Sequence, residues 1–193
     1  MSICSQTKQL LINYYQKLFV PKFRVCVLGL TNSAKSSTIS SVFNISNYDN
    51  TKEINKVDYK TDNVIFHIYD IKGGRKQRRF WDYFYKRCDV LVYCVDLSAS
   101  EEVWEESKFE LKQLIHRNRR NMKNMLVLGT KNDKGRAMEI GEMIMKLDLT
   151  SIFEVEIACF SISTKDNTNI SLVEPWLFEQ YKIKGTQSAF QLF

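Results

Sequence analysis

The residues with the clearest chemical potential in this 193-residue chain lie in a loop between a predicted strand and a predicted helix. An apolar run over residues 23–28 leads into Gly29, and the loop reads Gly-Leu-Thr-Asn-Ser-Ala-Lys-Ser-Ser. This is the pattern of a phosphate-binding loop, or P-loop, in which backbone N–H groups bind phosphate oxygens. Glycine normally precedes the lysine, and Ala34 stands there instead. The sequence therefore predicts a phosphate site that carries an additional methyl group.

Each side chain of this loop has an expected role. Lys35 would reach the β- and γ-phosphates, and the Ser36 hydroxyl would coordinate Mg²⁺. Backbone amides over residues 32–36 would surround the phosphates at the N-terminus of the following helix. The residues expected to contact the phosphates are Gly29, Asn32, Ser33, Ala34, Lys35, Ser36 and Ser37.

A second candidate site follows the predicted strand over residues 64–69. Asp70 comes directly after this strand and precedes Ile71-Lys72-Gly73-Gly74. Its carboxylate is placed to hold Mg²⁺ through a water molecule, and Gly73 can offer its N–H to a γ-phosphate. The alternative is an ordinary turn residue at the end of a strand.

A third candidate site, Gly129-Thr130-Lys131-Asn132-Asp133, ends the strand that begins near Met125. Asp133 can accept two hydrogen bonds from the N1–H and 2-amino groups of guanine, and the stem of Lys131 can cover the base. Thr130 belongs to the same loop. A polar loop without a ligand is the alternative, but three such elements in this order favour a guanine nucleotide site.

Elements that would position these loops alternate along the chain. Further strands are expected over 90–96, 125–129 and 153–159, and helices over 80–86, 101–117, 138–146 and 172–181. The runs at 90–95 and 125–128 are continuously apolar, as in parallel strands that are buried on both faces. Ligands of such sheets bind beyond the carboxyl ends of the strands, where all three candidate sites fall. The predicted class is therefore α/β.

The composition bears on the number of domains, the partners and the cellular compartment that can be expected. With 44% hydrophobic residues and only 7 Gly and 2 Pro, the chain is expected to form one compact domain. The net charge of +6 does not select a partner. The five cysteines form no CxxC pair, which favours reduced thiols inside the cell.

Residues 2–19 have the apolar spacing of a short amphipathic helix, which ends before Pro21. Two interpretations stay open: a helix that packs on the domain, or one that moves between the protein and a membrane. Ser2 stands where N-myristoylation requires glycine, so we expect none. Acylation of Cys4 stays open.

The segment Tyr69-Asp70-Ile71-Lys72-Gly73-Gly74-Arg75, followed by Phe80-Trp81, resembles the Trp-Asp-x-Gly-Gly-Gln element of the ADP-ribosylation-factor-like small GTPases, with its downstream tryptophan. The resemblance implies the P-loop small-GTPase fold, a mostly parallel six-stranded sheet with helices on both faces. It also implies an N-terminal amphipathic helix over 1–20, a GTPase domain over 21–184 and a tail over 185–193. Trp81 would also serve as a core anchor.

The segments 63–64, 127–129 and 158–163 are most similar to the branch of this group that is associated with lysosomes. By resemblance, the backbone at Ser161 and Ile162 would contact the guanine O6, and Thr51 would sense Mg²⁺ and the γ-phosphate. The expected location is the cytoplasm, peripheral on an endomembrane, with lysosome or late endosome as the compartment.

Several positions depart from the pattern of the group. Counting back from Trp81 places Lys72 on the first glycine and Gly74 on the water-orienting glutamine, whereas a shifted alignment places Arg75 there. Neither can position water, and Gln77 is a distant substitute, so no catalytic residue is assigned. Thr130 replaces a bracing asparagine and Ala34 crowds the β-phosphate; each is expected to cost about 1 to 3 kcal/mol of binding.

The function implied by the resemblance is a GTP/GDP switch with Mg²⁺ and poor hydrolysis. GTP would order switch I around Thr51 and switch II over residues 70–85, and the hairpin over 56–69 would release the N-terminal helix to a membrane. Expected partners are effectors that contact both switches and the hairpin, and an exchange factor; we expect a monomer that binds no nucleic acid. A pseudo-GTPase scaffold without nucleotide is the alternative, while short connections argue against a P-loop kinase.

Overall fold

Six strands build the sheet of the protein in a computed structural model, which describes residues 20–46, 48–49 and 51–190. The strands are β1 Lys22–Leu28, β2 Ile54–Lys60, β3 Ile65–Ile71, β4 Val90–Asp96, β5 Met125–Thr130 and β6 Ile157–Ser161. The helices are α1 Lys35–Val42, α2 Trp81–Arg87, α3 Glu101–Arg117, α4 Ile140–Lys146 and α5 Val173–Phe190. Short 3-10 turns lie at Arg78–Phe80, Arg119–Asn121, Leu149–Ser151 and Ile170–Leu172.

The strand order is β2-β3-β1-β4-β5-β6, and only the β2–β3 pair is antiparallel. In the parallel part, β1 lies between β3 and β4, so that Cys26 pairs with Tyr69 on one side and with Leu91 on the other. The carboxyl ends of β1, β3, β4 and β5 therefore meet at one edge of the sheet. The predicted six-stranded, mostly parallel sheet is confirmed.

Burial explains why the central strands are continuously apolar. Every residue of β5 is buried, and so is every residue of β4 except the last. One face of the sheet is covered by a core that includes Trp81, Trp104 and Leu111 from α2 and α3. The other face is covered by a core that includes Ile39 of α1 and Leu177 of α5. The prediction of helices on both faces is confirmed.

The side chain of Trp81 anchors the start of α2 in the core. It is fully buried and stacks edge-to-face on Tyr93, with ring centroids 6.2 Å apart. Its indole N–H donates to the Lys72 carbonyl at 3.4 Å. Trp81 therefore links switch II to the core, as expected of a core anchor.

Most elements begin and end within two residues of their predicted bounds. Strand β3 extends to Ile71, so Asp70 lies within this strand, whereas the sequence placed it after the strand. Two elements differ by more. Strand β6 begins at Ile157 rather than at residue 153, where Phe153 is 85% exposed and cannot supply the buried face of a strand. Helix α5 continues to Phe190, so residues 185–190 of the expected tail are helical. The N-terminal helix predicted over 1–20 lies outside the described residues, apart from Val20. Within the described part of the chain, no helix is long and apolar enough to cross a bilayer.

Candidate functional site

The P-loop between β1 and α1 retains a conformation that glycine favours. Ala34 has φ 56° and ψ 22°, and Asn32 has φ 66°, so both residues are in the left-handed region. For an alanine this conformation costs about 1–2 kcal/mol. The loop therefore keeps the left-handed conformation despite the methyl group of Ala34, and the backbone at Ala34 is strained.

Lys35 lies inside the P-loop and is only 7% exposed. Its Nζ donates to the carbonyls of Gly29 and Leu30, at 3.0 and 2.7 Å, and to Ser33 Oγ at 3.3 Å. Burial lowers the pKa of Lys35. Because these acceptors are neutral oxygens, a buried ammonium here gains from an anionic ligand such as phosphate.

Oxygen ligands suitable for Mg²⁺ converge at the start of α1. Ser36 Oγ donates to Asp70 Oδ2 at 2.6 Å, and the Tyr48 hydroxyl donates to the same oxygen at 2.9 Å. Burial, with the Asp70 charge, raises the pKa of Tyr48. Hydroxyl and carboxylate oxygens are the donors that Mg²⁺ prefers, so the Ser36–Asp70 pair fits this ion. Tyr48 was not predicted from the sequence.

Thr51, the third expected magnesium residue, is hydrogen-bonded to Asp49 and not to that pair. Its hydroxyl and its N–H donate to Asp49 Oδ1, at 2.7 and 2.9 Å. Among the residues that the structure describes, no three His, Cys, Asp or Glu side chains cluster as a metal site. Magnesium binding would therefore depend on Ser36, Asp70 and the oxygens of a nucleotide.

Two adjacent cavities surround these groups and share Ser36 and Ser37. The larger has a volume of about 720 Å³ and is lined by Thr31, Asn32, Ser33, Ala34, Lys35, Ser36, Ser37, Thr51, Glu53, Asp70, Lys72, Gly73, Gly74 and Gln77. The smaller, about 440 Å³, is lined by Ser36, Ser37, Ser40, Ser41, Tyr48 and Thr164. The structure thus brings the predicted phosphate residues other than Gly29 together with Thr51 and Asp70 around one space.

Switch II lies directly against the P-loop at Gly73. An ideal Cβ built on Gly73 would lie 2.2 Å from the Gly29 carbonyl oxygen and 2.5 Å from the Thr31 nitrogen, so only glycine fits. Beside it, Lys72 Nζ donates to the Thr51 carbonyl at 2.9 Å, and Lys72 N–H donates to the Glu53 carbonyl at 3.0 Å. Switch I and switch II are therefore joined at the rim of the larger cavity.

Arg78 anchors switch II from its outer side. Its Nε donates to the Gly73 carbonyl at 2.9 Å, and its Nη1 donates to Glu106 at 2.9 Å and to Glu110 at 2.8 Å. The side chain is only 12% exposed. Arg78 is therefore held within the fold, whereas its basic neighbours Arg75 and Arg79 are exposed.

Thr130 connects the base loop with the P-loop more weakly than expected of the asparagine that it replaces. Its Oγ1 lies 2.9 Å from the Val95 carbonyl and 3.4 Å from the Ser33 carbonyl. Because a hydroxyl group has one proton, Thr130 donates mainly to the closer Val95 carbonyl. The brace to the P-loop at Ser33 is therefore retained as a long contact.

Lys131 forms a largely buried ion pair in the base loop. Its Nζ donates to Asp96 Oδ2 at 2.6 Å, and the two side chains are 19% and 12% exposed. Although burial raises the pKa of Asp96, hydrogen bonds from Lys131 and Ser98 lower it below its ordinary value. The ion pair fixes the side chain that is expected to cover the base.

Asp133 has a protein partner that was not predicted from the sequence. Ser163 Oγ donates to Asp133 Oδ1 at 2.9 Å. By contrast, the Ile162 N–H donates to the Gly129 carbonyl at 2.7 Å, and the Ile162 side chain is fully buried. The carbonyl of Ser161 accepts from Asn169 at 2.8 Å. The Ile162 N–H, which was expected to contact the guanine O6, is thus already used within the protein. The Ser-x-Lys spacing at 163–165 is the sequence pattern that could have identified Ser163.

Comparisons with known proteins agree with this geometry. A sequence profile described as the ADP-ribosylation factor family matches residues 11–181. ADP-ribosylation factor-like protein 8c of Arabidopsis thaliana is 28% identical over 173 residues, which cover 88% of this chain and 94% of that protein. Protein 8b of the same plant is 29% identical over 176 residues, which cover 89% and 95%.

A solved structure shares the fold. The Arl6 BBS3 small GTPase from Trypanosoma brucei, determined with the bound nucleotide analogue GppNp, superposes with a TM-score of 0.74 at 25% identity. The match covers 82% of this chain and 96% of that one.

The strained Ala34 leads to a first prediction. Ala34→Gly removes the left-handed strain and the methyl group, so we expect unchanged or higher stability and about 5- to 50-fold tighter binding of a nucleoside diphosphate. Fluorescent nucleotide titration and thermal unfolding measure both effects. Ala99→Gly, outside the P-loop, is the matched control. Weaker binding by Ala34→Gly would contradict the strain.

The Arg78 anchor leads to a second prediction. Arg78→Ala leaves Glu110 without its cation and leaves Glu106 with only the exposed Arg75, so we expect a loss of about 2–3 kcal/mol in the free energy of unfolding. Urea denaturation measures it, and limited proteolysis should cut switch II faster. Arg79→Ala, which removes a cation stacked 4.8 Å from the Phe80 ring centroid, should cost less than about 1 kcal/mol. Equal losses would argue against the anchor.

Proposed function

The chain belongs to the ADP-ribosylation factor family, and we propose that it is a guanine nucleotide switch that functions at a membrane surface. The observation that carries the proposal is the meeting of three candidate sites at one edge of the sheet. Lys35 and the P-loop amides would hold the phosphates. Asp133 would select the base.

The two adjacent cavities support this placement of a nucleotide. The triphosphate would lie in the larger cavity, which Lys35, Ser36 and Gly73 line. The sugar and base would extend past Ser37 into the smaller cavity, toward Thr164. Mg²⁺ would neutralise phosphate charge there, held by Ser36 directly and by Asp70 through water. Ser36 Oγ must turn away from Asp70 for this, and the Tyr48 hydroxyl can keep the carboxylate in position.

Base selection would use Asp133 together with Ser163. The Ser163 hydroxyl holds one oxygen of the Asp133 carboxylate at 2.9 Å, which fixes its orientation toward a guanine edge. Because the Ile162 N–H is bonded to Gly129, the backbone donor to the guanine O6 is better assigned to Thr164. Thr164 lines the smaller cavity, unlike Ser161 and Ile162.

The membrane part of the function rests on family resemblance. GTP would order both switches, and movement of the β2–β3 hairpin would release the N-terminal segment to an endomembrane of the lysosome or late endosome. Effectors would contact the hairpin and both switches, and an exchange factor would load the nucleotide. Similarity to the ADP-ribosylation factor-like 8b and 8c proteins supports this branch.

Hydrolysis would be slow, because Gly74 supplies no side chain at the position where the family has its water-orienting glutamine. Intrinsic hydrolysis in small GTPases is already on the order of 10⁻⁴ s⁻¹. The lifetime of the GTP state would then depend on exchange as much as on chemistry.

A pseudo-GTPase scaffold is the second candidate. It is favoured by the hydrogen bonds that join Lys72 to Thr51 and Glu53, since they hold the two switches together through protein groups alone. In such a scaffold the effector surface would form without nucleotide.

Nucleotide content separates the two candidates. Acid extraction of the purified protein, followed by chromatography, identifies any retained nucleotide, and titration with fluorescent GDP and GTP in Mg²⁺ or EDTA gives the affinity. Guanine nucleotide whose retention requires Mg²⁺ supports the switch. A folded protein that ignores micromolar GTP would exclude it and favour the scaffold.

A substitution tests base selection. Asp133→Asn removes the carboxylate that accepts from the N1–H and 2-amino groups, so guanine affinity should fall about 100-fold or more while xanthine nucleotides bind better. Competition between fluorescent GDP and xanthosine diphosphate measures this preference. Asp62→Asn, exposed at the β2–β3 turn, is the control. Unchanged selectivity would remove Asp133 from the site.

A further inference from the structure

The carboxamide of Gln77 occupies the space that a side chain at position 74 would take. An ideal Cβ built on Gly74 would lie 2.5 Å from Gln77 Oε1 and 4.0 Å from Thr31 Oγ1. Gln77 also lines the larger cavity, together with Lys35 and Gly73. A glutamine three positions along the chain thus places its amide oxygen beside the Gly74 backbone, on the P-loop side of switch II.

Switch I determines the orientation of this carboxamide. Gln77 Nε2 donates to Glu53 Oε1 at 2.7 Å. Since a carboxylate only accepts hydrogen bonds, the NH₂ end of Gln77 must face Glu53. The Oε1 end therefore stays turned toward Gly74 and can accept a hydrogen bond from water.

The turn that follows Gly74 brings Gln77 back to this place. The N–H groups of Gln77 and Arg78 both donate to the Gly74 carbonyl, at 2.9 and 3.1 Å. Arg78 is in turn held by the Gly73 carbonyl and by two glutamates of α3. The position of Gln77 is therefore set by its backbone and by the Arg78 anchor, as well as by Glu53.

Arg75 does not lie where it could orient a water molecule for hydrolysis. Its side chain is 88% exposed, and its Nε lies 3.5 Å from Glu106, on the outer side of switch II. Lys72 donates to the Thr51 carbonyl and has no acceptor for a water proton.

We propose that Gln77, held by Glu53, positions the attacking water in GTP hydrolysis; this inference rests on the function proposed above. The water oxygen forms a bond to the γ-phosphorus, and the bond from the γ-phosphorus to the β–γ bridging oxygen breaks with its electrons going to GDP. The protons of the water pass to the phosphate product and to the solvent. Gln77 orients the water by accepting one hydrogen bond and neither gains nor loses a proton.

The decisive experiment is single-turnover hydrolysis by the full chain loaded with GTP and Mg²⁺, with GTP affinity measured separately. Gln77→Ala should lower the hydrolysis rate about 10-fold or more and change GTP affinity less than about 2-fold. Lys76→Ala, an exposed neighbour in the same turn, is the matched control and should keep the wild-type rate.

A rescue variant distinguishes positioning from a loss of structure. The Gly74→Gln/Gln77→Ala double variant moves the carboxamide to position 74, and the space is available because the close contact of a Cβ there is with the Gln77 carboxamide. Its rate should recover to at least the wild-type value. Glu53→Ala should slow hydrolysis about 3- to 10-fold, whereas Glu53→Gln, which keeps an acceptor for Nε2, should restore most of the rate.

The possible results distinguish the role of Gln77 from the switch function. Wild-type protein that binds GTP while Gln77→Ala hydrolyses it at the wild-type rate overturns the role of Gln77 and leaves the switch function intact. GTP binding without any measurable hydrolysis overturns it as well. Wild-type protein that binds no guanine nucleotide excludes the switch function itself.

Discussion

The close approach of Gly73 to the P-loop is the contact on which the site depends. With the Cβ position of residue 73 only 2.2 Å from the Gly29 carbonyl oxygen, the two backbones meet without room for a side chain. This contact fixes the distance from the end of β3 to the start of α1. Asp70 can therefore reach Ser36, and both switches can border one phosphate-sized space.

Three side chains of switch II form hydrogen bonds around this contact. Lys72 and Gln77 each donate from switch II to switch I, to Thr51 and to Glu53. On the outer side, Arg78 joins the Gly73 carbonyl to α3. Lys72, Gln77 and Arg78 therefore belong to one connected network of hydrogen bonds, which joins the two switches to each other and to α3.

The two expected penalties in nucleotide binding are of moderate size. Ala34 has a left-handed backbone conformation, which costs about 1–2 kcal/mol. Thr130 retains a long contact with the P-loop carbonyl of Ser33. Losses of this size would weaken the very tight binding of a small GTPase by factors of ten.

The sequence by itself determined the elements and the main site residues, because both depend on local patterns. Continuous apolar runs marked β4 and β5, the bounds of α3 were met at 101–117, and the P-loop follows β1 directly. Asp70 was recognised from its place at the end of an apolar run, and it is the second-last residue of β3. Tertiary structure alone decided contacts between distant positions, since side-chain pairing depends on how elements pack. These are Tyr48 with Asp70, Gln77 with Glu53, Arg78 with Glu106 and Glu110, and Ser163 with Asp133.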